Sequence, residues 1–117
     1  MLLELFEPAF EFTVGNSSVP TMIAFVSDTC PHCAAVKPHL SALDDQYRPK
    51  VSTWIINVAR APNLAPFYFE GVPVLMGFHQ GQPLWRQVGA PEPSVLAKMY
   101  EDLAGRGAQP TWSGAKG

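Results

Sequence analysis

Short unbroken apolar runs alternate along the chain with segments whose apolar residues recur every three or four positions. The runs TMIAFV (21–26) and VSTWIINV (51–58) are rich in β-branched and aromatic residues, which is typical of strands buried on both faces. Between them, Pro31 opens a segment with helical spacing, and Pro38 falls inside it, where it should bend the axis. The apolar face predicted for this helix consists of Cys33, Val36, Leu40, Leu43 and Tyr47.

The second half of the chain predicts a hairpin followed by a helix. VLMGF (74–78) and PLWRQV (83–88) read as strands joined by the Gly-bearing turn HQGQ. The next segment begins at Pro93 and is predicted to end at Gly105. Its predicted apolar face consists of Val95, Leu96, Met99 and Leu103.

The first twenty residues complete the predicted order of elements. LLELF (2–6) suits a strand, and Phe10 and Val14 would face a core from a short helix ending near Gly15; another short helix is predicted near 63–69. Helices between the early strands require parallel crossovers, whereas the hairpin must be antiparallel. We therefore expect an α/β fold with a mixed sheet of about five strands and about four helices on its two faces.

Length and composition favour one globular domain. The chain has 117 residues, of which 47% are hydrophobic and 15% charged, with a net charge of −2. We predict a domain over residues 1–105 and a flexible tail over 106–117, with Trp112 as the tail's only large apolar residue. The charge provides no basic field for nucleic acid or for a membrane surface.

The start of the chain does not resemble a secretory leader. It carries Glu4 and Glu7 where a leader needs a basic segment and a long apolar run, and no stretch has the length of a membrane span. We expect a cytoplasmic protein, or a periplasmic or secreted one if a leader has been removed.

The two cysteines of the chain, Cys30 and Cys33, lie two residues apart in SDTCPHC (27–33), between a predicted strand and a predicted helix. The unsatisfied N–H groups and the positive dipole of the first helical turn should stabilise a thiolate on Cys30. Cys33 lies one turn further in and should be more buried. This asymmetry predicts an attacking Cys30 and a resolving Cys33.

The dipeptide between the cysteines, Pro31 and His32, is predicted to tune their redox potential. An imidazole beside the pair favours the thiolate of Cys30 over the disulfide, which makes the pair more oxidising.

Three other interpretations of the cysteines remain open. They can be inert core residues. They can contribute to a zinc site, for which His32, His39 and His79 are the remaining candidates, although the helical spacing places His39 on the far side from Cys33. They can also hold an iron–sulfur cluster shared between two chains through Cys30. We expect no metal or other cofactor.

Together these motifs resemble the thioredoxin superfamily over about residues 2–105. FVSDTCPHC looks like its active-site strand and helix start, Pro38 falls where thioredoxins bend that helix, and residues 64–90, ending in VGA, resemble its second half. The resemblance implies the thioredoxin fold. It also implies that Val72 and Pro73 form a cis-proline pair facing the active site, where an extended substrate segment pairs with Val72, and that Gly89 lies in a substrate-facing loop.

The chain departs from the thioredoxin pattern around the cysteines. Typical thioredoxins carry CGPC preceded by Trp, with a buried Asp and a Lys beneath; here those positions hold Thr29, Ala24 and, approximately, Ile55. The missing acid implies slow proton transfer from the resolving thiol, with Asp28 as the nearest carboxylate in sequence. CPHC is the dipeptide arrangement of DsbA-type oxidases, and glutaredoxins share CPxC, but the chain has no room for the DsbA helical domain and no recognisable glutathione-binding residues.

The predicted function is that of a thioredoxin-like protein-disulfide oxidoreductase, more oxidising than typical thioredoxins. Its expected partners are disulfide-containing proteins and an upstream thiol reductase or dithiol donor, and we expect a monomer. The alternatives are a binding or redox-sensing module for one partner, and a glutaredoxin-like protein.

Overall fold

The computed structural model describes residues 2–108. Five strands and four α-helices alternate as predicted, with short 3-10 turns at Glu7–Ala9, Val58–Arg60 and Pro62–Leu64. The strands are β1 (Leu3–Glu4), β2 (Thr21–Val26), β3 (Ser52–Asn57), β4 (Val74–His79) and β5 (Gln82–Val88). The helices are α1 (Phe10–Gly15), α2 (Pro31–Tyr47), α3 (Ala65–Tyr68) and α4 (Pro93–Ala108).

The strands form one mixed sheet in the order β1-β3-β2-β4-β5. The pairs β1–β3 and β2–β3 are parallel, whereas β2–β4 and β4–β5 are antiparallel. Gln80 and Gly81 connect β4 to β5 with φ angles of 56° and 80°, the left-handed backbone that a two-residue hairpin turn requires. The predicted α/β fold with a five-stranded mixed sheet is confirmed.

The sheet separates two apolar cores, and β2 contributes to both because its side chains alternate between the faces. Ile23 and Phe25 join the core that includes α1, whereas Met22, Ala24 and Val26 join the core that includes α2 and α4. Phe10 and Val14 are buried in the first core, as predicted. Helix α2, which carries Cys33, therefore packs on the second core.

The buried face of α2 differs from the prediction at its C-terminal end. Cys33, Val36 and Leu40 are buried as predicted, whereas Leu43 and Tyr47 are only partly buried. Asp44 is fully buried instead and forms an ion pair with Arg48 one turn later. A buried carboxylate needs such a partner, and the apolar pattern alone gives no sign of it.

Two sequence predictions for helix α4 are wrong: the burial of Val95 and the end of the helix at Gly105. Val95 is 43% exposed, and Tyr100 is fully buried on the inner face beside Leu96 and Leu103. Its hydroxyl shares a 2.7 Å hydrogen bond with the Thr53 hydroxyl, which makes the burial of this polar group tolerable.

The same helix does not end at Gly105 but continues to Ala108, so the first three residues of the predicted tail are helical. Gly107 lies in this last turn, where a Cβ would lie 2.8 Å from Pro20 Cδ. A small residue lets the last turn pack this closely on the body of the domain. Trp112 and the rest of the predicted tail lie outside the described residues.

No helix within residues 2–108 is both long enough and apolar enough to cross a membrane.

Candidate active site

Cys30 is the N-cap of α2. Its backbone is extended, with φ −95° and ψ 113°, and Pro31 occupies the first helical turn. The Cys30 Sγ accepts a hydrogen bond from the Cys33 N–H at 3.1 Å, in the way that a Ser or Asp cap accepts one. A backbone donor and the positive end of a 17-residue helix therefore point at this half-buried sulfur.

Cys33, one turn further along, is completely buried, and both cysteines are free thiols. Burial raises the pKa of the Cys33 thiol to about 11, and its hydrogen bond with Cys30 acts in the same direction. A hydrogen bond with the Ser27 backbone and the positive charge of Lys37 oppose this increase. At neutral pH, Cys33 is a protonated thiol.

The loop before β4 lies against the sulfur of Cys30. The Cys30 Sγ contacts the Val72 carbonyl oxygen at 3.6 Å, and the Val72–Pro73 peptide bond is cis. The Gly89 N–H donates to the Pro73 oxygen at 2.8 Å, and the φ of Gly89 is +87°, a conformation that favours glycine. Val72 thus lies next to Cys30, and Gly89 is hydrogen-bonded to the residue that follows Val72.

The residues that flank the cysteines in sequence are exposed. Thr29, Pro31 and His32 are exposed on the loop and first turn. Asp28 is also exposed, and its carboxylate accepts a 3.1 Å hydrogen bond from the side-chain amide of Asn57. Asp28, the carboxylate nearest to the cysteines in sequence, is therefore hydrogen-bonded to the last residue of β3.

The floor beneath the cysteines is apolar. Ala24 is fully buried in the same core cluster as Cys33, and it pairs with Ile55 on β3 and Leu75 on β4. Ile55 belongs to that cluster as well. Because these neighbours offer no charge to a thiolate, burial dominates the pKa of Cys33.

Two contributors to the site were missed in the sequence. Lys37 lies four residues after Cys33, a spacing that places both on one side of a helix, so this signal was available. Asn57 could not have been found, because its contact with Asp28 joins residues 29 positions apart. His39 is exposed and His79 half-buried, and residues 2–108 contain no cluster of three His, Cys, Asp or Glu side chains arranged to hold a metal.

Comparison with known proteins agrees with this geometry. A family model described as Thioredoxin matches residues 2–102. The chain is 33% identical over 78 residues to thioredoxin 1 of Chlorobaculum tepidum, which covers 66% of this chain and 77% of the relative. It is 31% identical over 102 residues to a thioredoxin of Buchnera aphidicola, covering 86% of this chain and 94% of the relative. The chain therefore belongs to the thioredoxin family of thiol–disulfide oxidoreductases.

Proposed function

We propose that this protein exchanges disulfides with other proteins, with Cys30 as the attacking thiol and Cys33 as the resolving thiol. The observation that carries the proposal is the difference between the two sulfurs. Cys30 is half-buried and accepts a backbone N–H at the start of a helix, whereas Cys33 is fully buried with its pKa raised to about 11. A nucleophile needs access and thiolate character, and a resolving group needs only proximity.

The reaction consists of two exchanges. The Cys30 thiolate attacks one sulfur of the substrate disulfide, the substrate S–S bond breaks, and one substrate thiolate leaves. Cys33 then loses its proton and attacks the Cys30 sulfur, which releases the second substrate thiolate and closes a Cys30–Cys33 disulfide. Two electrons pass from the protein to the substrate, and an upstream dithiol donor returns them.

Pro31 and His32 are proposed to make this pair more oxidising than that of typical thioredoxins. Both lie on the exposed first turn, directly between the two sulfurs in sequence. A donor or a positive charge at His32 stabilises the Cys30 thiolate, hence the reduced form, and a more stable reduced form raises the potential.

The substrate is proposed to bind as an extended segment against Val72, Pro73 and Gly89. The Val72 carbonyl already lies 3.6 Å from the Cys30 Sγ, so a strand passing there brings its own disulfide to the nucleophile. The Gly89 N–H holds this loop in place through Pro73.

We further propose that the protein works as a cytoplasmic monomer without a bound cofactor. In a reducing compartment, mass action runs the cycle toward substrate reduction, and in an oxidising compartment the same pair donates disulfides. The direction of net electron transfer therefore depends on the compartment as well as on the cysteine pair.

Reduction of insulin disulfides by the protein with a dithiol donor tests the proposal. We expect the wild-type rate to lie well above that of the Cys30→Ser variant, because the attacking sulfur is the catalyst. If the two rates are equal, the proposal fails, and the protein serves as a binding or redox-sensing module for one partner.

A further inference from the structure

Lys37 lies one helical turn after Cys33 on α2. Residues four apart on a helix are neighbours, with Cβ atoms about 5–6 Å apart, and helical side chains lean toward the helix N-terminus. The Lys37 side chain therefore leans toward the turn that carries Cys33. It is half-buried, which suits a lysine whose aliphatic stem packs on the protein while its ammonium group stays hydrated. Its positive charge favours the thiolate form of Cys33.

The ammonium group of Lys37 is not neutralised by a carboxylate of the domain. None of the ion pairs among residues 2–108 includes Lys37. The other residues three and four positions away on α2 are Ala34, Leu40 and Ser41, which carry no charge. The field of this cation is therefore available to the thiol one turn before it.

The other elements around Cys33 supply no second positive charge. The core that contains Cys33, formed by the sheet, α2 and α4, consists of apolar or neutral side chains. The largest polar one is Tyr100, which stays neutral because burial raises its pKa. Asp28 and His32 are exposed on the loop and on the first turn of α2. The side-chain charges that act on Cys33 are those of Cys30 and Lys37.

The charge on Cys30 changes during the reaction. In the reduced protein, a thiolate on Cys30 disfavours a second negative charge on Cys33. In the mixed disulfide, the Cys30 sulfur is bonded to the substrate sulfur and carries no charge. The charge of Lys37 then acts on Cys33 without this opposition, at the step that needs a Cys33 thiolate.

We propose that Lys37 is a further functional residue of the resolving step, in which its ammonium group stabilises the Cys33 thiolate as this attacks the mixed disulfide at Cys30. The Cys33 proton goes to water, the Cys30–Cys33 bond forms, the bond from Cys30 to the substrate sulfur breaks, and the substrate leaves as a thiolate. The ammonium group accepts no proton, so it is not a general base. This inference rests on the proposed function, because it concerns the same resolving attack.

Stopped-flow mixing of the reduced protein with dithiodipyridine tests the inference. This disulfide is uncharged, and its two thiopyridone products absorb light. The first release depends on the reagent concentration, whereas the second is the unimolecular attack of Cys33. We expect Lys37→Met to slow the second release about threefold at pH 7 and low salt, and to displace its pH profile to higher pH. The slowing is smaller than the loss of ionised thiol, because a thiolate of higher pKa is more nucleophilic.

Two further variants and a change of salt separate charge from packing. Lys37→Arg keeps the charge and should keep most of the rate. Lys98→Met is the matched control, because Lys98 is exposed on α4 and its loss changes the net charge equally; it should leave the second release unchanged. At about 1 M salt, where the screening length falls to about 3 Å, the difference between wild type and Lys37→Met should largely disappear.

The inference is overturned if Lys37→Met gives the second release at the wild-type rate, or if it slows the first release as much as the second. It is also overturned if Lys98→Met slows the second release equally, if Lys37→Arg is as slow as Lys37→Met, or if the difference persists at high salt. A wild-type protein without a second release, or a Cys33→Ser variant that retains it, overturns the proposed function and this inference with it.

Discussion

Replacement of Cys33 with Ser is expected to trap protein substrates on Cys30 as stable mixed disulfides. The first exchange needs only the half-buried Cys30 sulfur, and the variant keeps the helix N-cap and the contact of Cys30 with Val72. The second exchange requires a sulfur at position 33, which a serine oxygen does not replace. Complexes that are transient in the wild-type protein should therefore survive non-reducing electrophoresis, and mass spectrometry of the trapped species would identify the substrates.

The Cys30→Ser variant is the matched control for the trap. Its remaining thiol is completely buried, and burial raises the pKa of that thiol, so it should form almost no adducts at neutral pH. If Cys30→Ser retains adducts and Cys33→Ser does not, the attacking and resolving roles are the reverse of those proposed.

Introduction of a carboxylate beneath the cysteines, in the Ala24→Asp variant, is expected to accelerate the resolving step. Burial raises the pKa of the Cys33 thiol far above neutrality, so very little of it is ionised at pH 7, and the apolar floor around Ala24 offers no base. A carboxylate buried there has its own pKa raised, which suits it to accept a proton near neutrality. The rate of substrate release from a preformed Cys30 mixed disulfide should rise by about 10²-fold at pH 7.

The same substitution should lower the free energy of unfolding by about 2–4 kcal/mol, since it buries an acid among apolar neighbours. The rate of substrate release should also depend less on pH in the variant than in the wild-type protein. In the wild-type protein, release should rise about tenfold for each pH unit between 7 and 9, because the ionised fraction of Cys33 rises in that proportion below its pKa. In the variant the rise should be shallower.

Stopped-flow measurement of release would check these rates, and Ala24→Asn is the control. The amide has nearly the shape of the carboxylate and is also buried without a partner, so it should destabilise the fold without accelerating release. A folded Ala24→Asp protein that releases substrate at the wild-type rate, or an equal acceleration by Ala24→Asn, would show that proton transfer from Cys33 does not limit the reaction.

The order of elements could be predicted because each one has a local signal. The buried strand at 21–26 is a continuous apolar run, α2 begins at Pro31, and the hairpin turns at Gly81, where φ is +80°. These signals depend on neighbours within a few residues, which a single sequence displays. The parallel and antiparallel pairings then follow from the lengths of the connections.

The polar residues inside the fold could not be predicted in the same way. Asp44 looks like a surface residue of α2, yet it is buried beside the cation of Arg48. The predicted face of α4 includes Val95 and omits Tyr100, which is fully buried and whose hydroxyl shares a hydrogen bond with Thr53, 47 residues away. Such burial depends on a partner that only the tertiary structure supplies.

The candidate site likewise has some features that local sequence signals predict and others that depend on the tertiary structure. The positions of Cys30 at the helix start and of Cys33 one turn inside follow from the local pattern at residues 27–33. The contact between Cys30 and Val72 crosses 42 residues, and only the resemblance to a family pointed to it. The engagement of Asp28 by Asn57 had no signal in the sequence.

The central claim is that Cys30 and Cys33 form a reversible dithiol–disulfide couple whose potential His32 raises. Equilibration of the protein with glutathione at graded ratios, followed by counting of free thiols, measures this directly. The account predicts a single two-electron transition at a potential above the value of about −270 mV that is typical of thioredoxin. A potential at or below that value contradicts the role given to His32, and the absence of a transition that requires both cysteines contradicts the claim as a whole.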